Sequence, residues 1–266
     1  MSDQLAAIIL GLVQGLTEFL PVSSTAHLIL TQKVLGLDPE KFGLTFDVAL
    51  HLGTALAVLL YFATTWLGLI GDVLHARWRM PLLVVVGTIP AAVAGLLLQS
   101  LVERELRGAL IIAAGLLIGS AIFVYAERAG RGIRRIDRAT VSDAVFMGIA
   151  QAVALIPGIS RSGITISAGL VRDLERPDAT RFSFLLATPV ILGAAAKTLL
   201  DARKLAGLTA QLDVVAIGFG VSFVAGLAAV AFMVRYLRTH SLKVFVIYRV
   251  ALALVILVAV AAGVLQ

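Results

Sequence analysis

Six apolar stretches, roughly 46–70, 81–101, 109–126, 181–200, 213–234 and 245–265, dominate this chain. A run of about 20 apolar residues crosses the hydrocarbon core of a bilayer as a helix. Barrel strands alternate in polarity and are about half as long, so these runs predict helices. The composition agrees: 60% of the 266 residues are hydrophobic and the mean hydropathy is +1.01. The expected fold class is therefore an all-α polytopic membrane protein, a single integral-membrane domain over residues 1–266 whose main partner is the bilayer. The net charge of +6 does not point to nucleic acid. The basic residues fall in short loops beside the spans, where the positive-inside rule places them. No secretory leader is expected, because the N-terminus lacks a basic region, carries Asp3, and has Glu18 interrupting its first apolar run. With no cysteine, disulfides and thiol chemistry are excluded.

Two polar segments stand out from this background and resemble each other. The first runs Gln14-Gly-Leu-Thr-Glu18-Phe-Leu-Pro21-Val-Ser23-Ser24-Thr-Ala-His27; the second runs Gln151-Ala-Val-Ala-Leu-Ile-Pro157-Gly158-Ile-Ser160-Arg161-Ser162-Gly163-Ile-Thr165. With a one-residue slip, Gln14 matches Gln151, Pro21 matches Pro157 and Ser24 matches Ser160. The likeness continues, since Gly87-x5-Val93-Ala94-Gly95-Leu96 recurs as Gly218-x5-Val224-Ala225-Gly226-Leu227, and Phe46 and Leu50 match Phe182 and Leu186. The chain divides into repeat one (about 1–126), a basic loop (about 127–138) and repeat two (about 139–266).

Each polar segment is a poor complete span. Proline removes a backbone donor and turns the preceding residue away from helix, so each is expected to be helix, break, helix: a re-entrant hairpin that returns to its starting side. Broken backbone at membrane depth persists only where it lines a protein cavity. Counting each hairpin as no crossing leaves three spans per repeat, and an odd number inverts the second repeat relative to the first. Arg77 and Arg79, then Arg128, Arg131, Arg134, Arg135 and Arg138, then Arg235, Arg238 and Lys243 all fall on one side, which should be cytoplasmic. The balanced stretch Glu103 to Arg107 falls outside. Lys197, Arg203 and Lys204 fall outside too and run against the assignment. On this topology both termini are outside, hairpin one dips from outside, hairpin two rises from inside, and their tips meet near the midplane.

The chemistry concentrates at those tips. Glu18 lies one helical turn after Gln14 on the same face, and a carboxylate at depth needs a cation, a metal or a proton. It is a candidate base or metal ligand, against a structural hydrogen-bonding role. Ser23 and Ser24 follow Pro21, where a second half-helix would begin, so helix capping is their plain role. A serine with a base in reach is also a nucleophile, and Glu18 and His27 both lie close to Ser24 in sequence. Ser24 is preferred over Ser23 because it alone aligns with Ser160. Arg161 is the strongest signal. A guanidinium in an apolar chain calls for an anion, and Gly158, Ser160, Ser162, Gly163 and Thr165 around it form a helix start with free amides and hydroxyls, a site suited to phosphate. The competing role for Arg161 is a structural pair with Glu18. Catalytic candidates are thus Glu18, Ser24, His27 and Arg161, and binding candidates are Gln14, Gly158, Ser160, Ser162 and Thr165. His51, His75 and His240 lie outside the motifs and receive no role.

The runs Glu18-Phe-Leu-Pro21-Val-Ser-Ser24-Thr-Ala-His27 and Pro157-Gly158-Ile-Ser160-Arg161-Ser162-Gly163-Ile-Thr165 resemble the two signature motifs of the bacterial undecaprenyl-diphosphate phosphatase family, the integral-membrane type linked to bacitracin resistance. The family's first motif opens with Glu or Gln; here it is Gln14. The resemblance spans the whole chain. It implies hydrolysis of undecaprenyl diphosphate to undecaprenyl phosphate and inorganic phosphate, which recycles the lipid carrier for cell-wall polymers. It further implies a divalent cation, Mg2+ or Ca2+, with Glu18 as a ligand. The implied partner is a polyprenyl diphosphate lipid, and a homo-oligomer is compatible with it. The implied location is the bacterial cytoplasmic (inner) membrane, with the active site opening to the outer, periplasmic face. The rival function is a transporter or flippase of prenyl phosphates, since inverted repeats with broken helices are also built into carriers. A carrier needs the anion clamp but not a nucleophile with a base. The lipid phosphatases with paired histidines are excluded, because no Pro-Ser-Gly-His-like run occurs.

Overall fold

The computed structural model describes residues 1–201 and 209–265. The described residues form helices and loops without a strand: α1 (Asp3–Phe19), α2 (Ser24–Val34), α3 (Pro39–Phe42), α4 (Leu44–Tyr61), α5 (Ala63–Leu74), α6 (Arg79–Glu105), α7 (Ala109–Ala129), α8 (Val141–Val153), α9 (Arg161–Val171), α10 (Arg176–Leu200), α11 (Leu212–Tyr236) and α12 (Lys243–Ala261). Among the described residues, six segments are long and apolar enough to cross a bilayer: Pro39–Tyr61, Arg79–Leu98, Ala109–Ala129, Arg176–Leu200, Leu212–Tyr236 and Lys243–Ala261. The protein is thus an all-α multi-pass membrane protein, with three such helices before the basic loop and three after it.

One expected span is corrected. The run 46–70 is not one helix, because it breaks at Phe62, and α5 follows with no buried residue. Length explains the break. α4 has 18 residues, which at about 1.5 Å each already comes close to a hydrocarbon core of about 30 Å. The surplus lies at the edge of the bundle, where Trp66 and Leu69 pack against the core and Arg181 Nη2 donates to Thr65 Oγ1 at 2.8 Å.

Both polar segments fold as broken hairpins. Ser2 caps α1 by accepting from Leu5 N at 3.3 Å, and α1 stops at Leu20, which is extended before Pro21. A capping box of Thr140 and Asp143 starts α8. Polar contacts close each hairpin at its base. Lys41 pairs with Asp3, and Gln32 Nε2 donates to Phe42 O at 2.6 Å. At the other hairpin, Arg172 Nε donates to Asp143 Oδ1 at 2.6 Å. The base of hairpin one sits with the start of α11, where Gln211 Nε2 donates to Lys41 O at 3.1 Å. The base of hairpin two sits with the basic loop, through Arg131 and Asp173 at 2.7 Å and Arg134 and Asp143 at 2.7 Å. Arg176 and Glu127 at 2.6 Å, with Leu242 N donating to Glu127 Oε1 at 2.9 Å, gather the ends of α7, α10 and α12 at that same end. Lys197 lies in the last turn of α10; Arg203 and Lys204 lie outside the described residues.

Small residues let the helices approach closely enough to exchange polar contacts, as membrane bundles require. A Cβ on Gly15 of α1 would lie 2.8 Å from Ser222 O of α11, and one on Gly53 of α4 would lie 2.5 Å from Phe219 O of the same helix. In the other half, a Cβ on Gly148 of α8 would lie 2.3 Å from Gly87 O of α6. The recurring glycines Gly218 and Gly87 therefore belong to helices that each grip the hairpin of the opposite repeat. The second half-helices are exchanged likewise: α2 packs on α12, and α9 on α7. The halves interlock, and their hairpin tips are pressed together in the interior.

Candidate active site

Two strained serines open the second half-helices. Ser23 precedes α2 at φ 75° and Ser160 precedes α9 at φ 75°. A left-handed conformation costs a non-glycine residue on the order of 1–3 kcal/mol and collects at functional sites. This geometry corrects the register drawn from the prolines. Ser160 is the counterpart of Ser23, and Ser24 is the counterpart of Arg161, each being the first residue of its helix. The break before α9 is longer than the break before α2, which is why aligning Pro21 with Pro157 shifts the serines by one.

These two first residues converge on one carboxylate. Ser24 Oγ donates to Glu18 Oε2 at 2.6 Å, and Arg161 Nη2 lies 2.9 Å from Glu18 Oε1. Gln14 Nε2, one turn below on α1, donates to Glu18 Oε2 at 2.9 Å, and reaches Thr54 Oγ1 at 3.5 Å. The Glu18 side chain is 4% exposed, so these donors stand in for water. Arg161 uses one arm only: its Nη1 is buried without a hydrogen-bond partner. That spare arm is a donor in place for an anion.

The tips also bind each other directly. Gly158 N donates to Ser23 Oγ at 3.1 Å, and Ser162 Oγ donates to Leu20 O at 3.2 Å. Ser23 thus bridges the hairpins and leaves Ser24 as the hydroxyl on the carboxylate. Ser160 accepts from Gly163 N at 3.4 Å as a helix cap and lies 3.3 Å from Ser162 Oγ. Thr165 Oγ1 bonds Arg161 O at 2.7 Å and pairs with Ser183, facing the interior. Gly158 adopts φ 96°, and a Cβ there would lie 2.4 Å from Ile112 O, so only glycine fits.

His27 departs from expectation. It lies on α2 near Ser24, but Nδ1 is 2.8 Å from Ser23 O and Nε2 is 2.6 Å from Tyr248 Oη, so its ring turns to α12 and not to the Ser24 hydroxyl. The imidazole that reaches Glu18 is His51, with Nε2 at 3.4 Å from Oε2 and Nδ1 at 2.7 Å from Asp47 O. His51 received no sequence role because it lies 33 residues from Glu18 inside an apolar run (51 − 18). Arg249 was missed too. It is 0% exposed and donates to both hairpin breaks, although an arginine within an apolar span is itself a signal of a buried site.

Gln14 Oε1 is buried without a partner, on the amide whose Nε2 donates to Glu18. It and the Glu18 carboxylate are hard oxygen donors of the kind Mg2+ and Ca2+ take. Among the described residues no group of three His, Cys, Asp or Glu side chains comes together. The donors therefore fit a cation that draws its other ligands from phosphate and water, the usual manner of Mg2+, and not a closed cage.

Relatives of the chain cover nearly its full length. It is 42% identical over 256 residues to a protein of Thermodesulfovibrio yellowstonii named undecaprenyl-diphosphatase, covering 96% of this chain and 97% of the relative. It is 42% identical over 263 residues to one of Rubrobacter xylanophilus with the same name, covering 95% and 97%. A third of that name, from Desulforudis audaxviator, is 44% identical over 255 residues, covering 94% and 95%. The family described as bacitracin resistance protein BacA matches residues 7–255, which takes in both breaks and the residues that meet at them, and the chain belongs to that family.

Proposed function

We propose that the protein hydrolyses undecaprenyl diphosphate to undecaprenyl phosphate and inorganic phosphate in the bacterial cytoplasmic membrane, with its site open to the outer face, and so returns the lipid carrier to cell-wall synthesis. The observation that carries this reading is the convergence of Ser24 and Arg161 on Glu18 at 2.6 and 2.9 Å, with Arg161 Nη1 left unpartnered. A hydroxyl, a base for it and an anion clamp stand together, and the relatives bear the name of that activity. The outer opening follows from the basic loop on the opposite end, by the positive-inside rule.

The incoming diphosphate competes with Glu18 for Arg161, whose free arm and paired arm together match two phosphate oxygens. Glu18, freed from that pair, takes the proton of Ser24. Ser24 Oγ attacks the terminal phosphorus and the bridging P–O bond breaks, releasing undecaprenyl phosphate. Water then cleaves the phosphoserine, giving inorganic phosphate, and the proton on Glu18 returns to Ser24 Oγ. Direct attack by water, with Ser24 as a binding hydroxyl, uses the same base. Ser160, Ser162 and Thr165 hold the start of α9, which aims its amides and Arg161 at the phosphates; Gly158 and Ser23 dock the two breaks. His27 positions α2 against α12. A divalent cation, Mg2+ or Ca2+, would be held by Glu18 and Gln14 Oε1 and would supply neutralisation of phosphate charge.

The test is phosphate release from undecaprenyl diphosphate by purified protein in detergent, with and without added metal. Ser24→Ala should lower turnover at least ~100-fold while substrate binding persists, and Ser23→Ala should be milder. Full activity in Ser24→Ala with none in Ser23→Ala would move the nucleophile to Ser23. Activity in both would remove covalent catalysis from this segment. A wild-type protein that moves prenyl phosphates in vesicles but releases no phosphate in detergent, where no gradient exists, would favour a carrier.

A further inference from the structure

We propose that Arg249 is the positioning residue that sets the distance between the two halves of the site; the inference rests on the phosphatase reading above. Arg249 is 0% exposed, in the first half of the apolar α12. Its five hydrogen bonds go to neutral oxygens and none to a carboxylate. Nη1 donates to Pro21 O at 3.3 Å, Nη2 to Gly158 O at 2.9 Å, Leu116 O at 3.0 Å and Gly115 O at 3.3 Å, and Nε to Ser120 Oγ at 3.1 Å. The guanidinium also lies over the Phe123 ring, 4.6 Å from its centroid.

A buried charge without an anion is expensive, and this one is spent on particular peptides. Pro21 and Gly158 lie in the two breaks, where helix formation leaves carbonyls without partners. Each stands three residues before a residue of the reacting cluster: Ser24 after Pro21, Arg161 after Gly158. One rigid, planar group thus grips both breaks at equivalent points, and the Ser24-to-Arg161 spacing is set through it. The packing of α7 is cut to admit it, since a Cβ on Gly119 would lie 2.2 Å from Arg249 Nη2. Lysine keeps the charge but has one nitrogen and cannot hold both breaks in a fixed plane.

The experiment compares wild type, Arg249→Lys and Gly119→Ala; the latter crowds the guanidinium and also, at 2.8 Å, the Ile159 carbonyl of the second break, so Arg249→Lys is the variant that isolates the guanidinium. Hydrolysis of undecaprenyl diphosphate is measured with thermal stability and gel-filtration profile. Both variants should remain folded and lose at least roughly 10-fold in kcat with KM within about threefold, because a small misplacement of reacting groups costs rate and not binding. A second readout is independent of activity. Spin labels on cysteines replacing Leu16 and Ile156, which are 48% and 39% exposed, report the separation of the hairpins. Their distance distribution should shift or broaden in both variants. Wild-type kcat and an unchanged distribution in folded variants overturn the proposal. So does a loss of kcat that only tracks the folded fraction, or a failure of both variants to fold, which leaves Arg249 a folding residue alone. If the wild type itself does not hydrolyse the lipid, the phosphatase reading falls and the spin-label distances alone decide the role of Arg249: a change supports it, constancy overturns it.

Discussion

Glu18 receives Ser24, Gln14 and Arg161 at hydrogen-bond distance and His51 at 3.4 Å, and this crowding makes each neighbour testable. Arg161→Lys should cut turnover roughly 30- to 1000-fold although the charge is kept. The lost bidentate geometry is worth about 2–4 kcal/mol at a developing phosphoryl charge. Near-normal kinetics in that variant would take Arg161 out of phosphate binding. His51→Ala removes the imidazole that stands 3.4 Å from the carboxylate and should lower kcat in a protein that still folds; unchanged turnover would place His51 outside the reaction. The polar residues near the breaks were readable from sequence because each is costly in hydrocarbon and they sit close together in the chain. His51 was not, since what makes it a site residue is a helix packed from elsewhere. The same holds for the choice between the serines. Only the left-handed backbone at Ser23 and Ser160 shows that Ser24 and Arg161 are equivalent residues with opposite chemistry.

Among the elements, the base of hairpin two is fixed by a loop contact that responds to acid. Arg131 donates to Asp173 through Nη2 at 2.7 Å, Nε at 3.2 Å and its own backbone N at 3.0 Å, while Asp173 O accepts from Arg134 N at 2.8 Å. The Arg131 side chain above all holds the Asp173 carboxyl down to about 2 from an ordinary 3.8. A depressed carboxyl stabilises the fold above its unfolded value, and that contribution fades as pH falls from about 4 toward 2. The loop anchor should therefore be intact at neutral pH and lost only in strong acid. A carboxyl titration of isotope-labelled protein checks it, and a midpoint near 4 would mean the contact is absent in solution. Asp173→Asn should speed amide exchange at Arg131 and Arg134 at neutral pH. The helices themselves were legible as apolar runs, and so were the breaks at Pro21 and Pro157. The division of 46–70 at Phe62 was not, because hydropathy marks where a chain is apolar and not where a bundle already spans enough length.

At the scale of the whole molecule the central expectation is a pair of inverted repeats, and the cysteine-free chain makes it testable. A single cysteine replacing Arg131 should react with a membrane-impermeant thiol reagent only after the inner membrane is opened, whereas one near residue 105 should react in intact spheroplasts. Cysteines at residues 2 and 37, on either side of hairpin one, should share the outer side, since Glu18, Ser24 and His27 are tolerable around a wet pocket and costly facing lipid. Labelling of residues 2 and 37 on opposite sides would make the segment a true span and end the odd count of three. The sequence by itself determined that this is a helical membrane protein, that it carries two similar polar segments with breaks, and that Glu18, Ser24 and Arg161 stand out as candidates for its chemistry. Each of those is a local property, set by hydropathy, proline and the cost of burying charge. Only the tertiary structure decided that the halves interlock, that His51 joins Glu18 while His27 turns to Tyr248, and that Arg249 ties both breaks. Those contacts join residues up to 228 positions apart, and no periodicity or spacing encodes which faces of separate helices will meet.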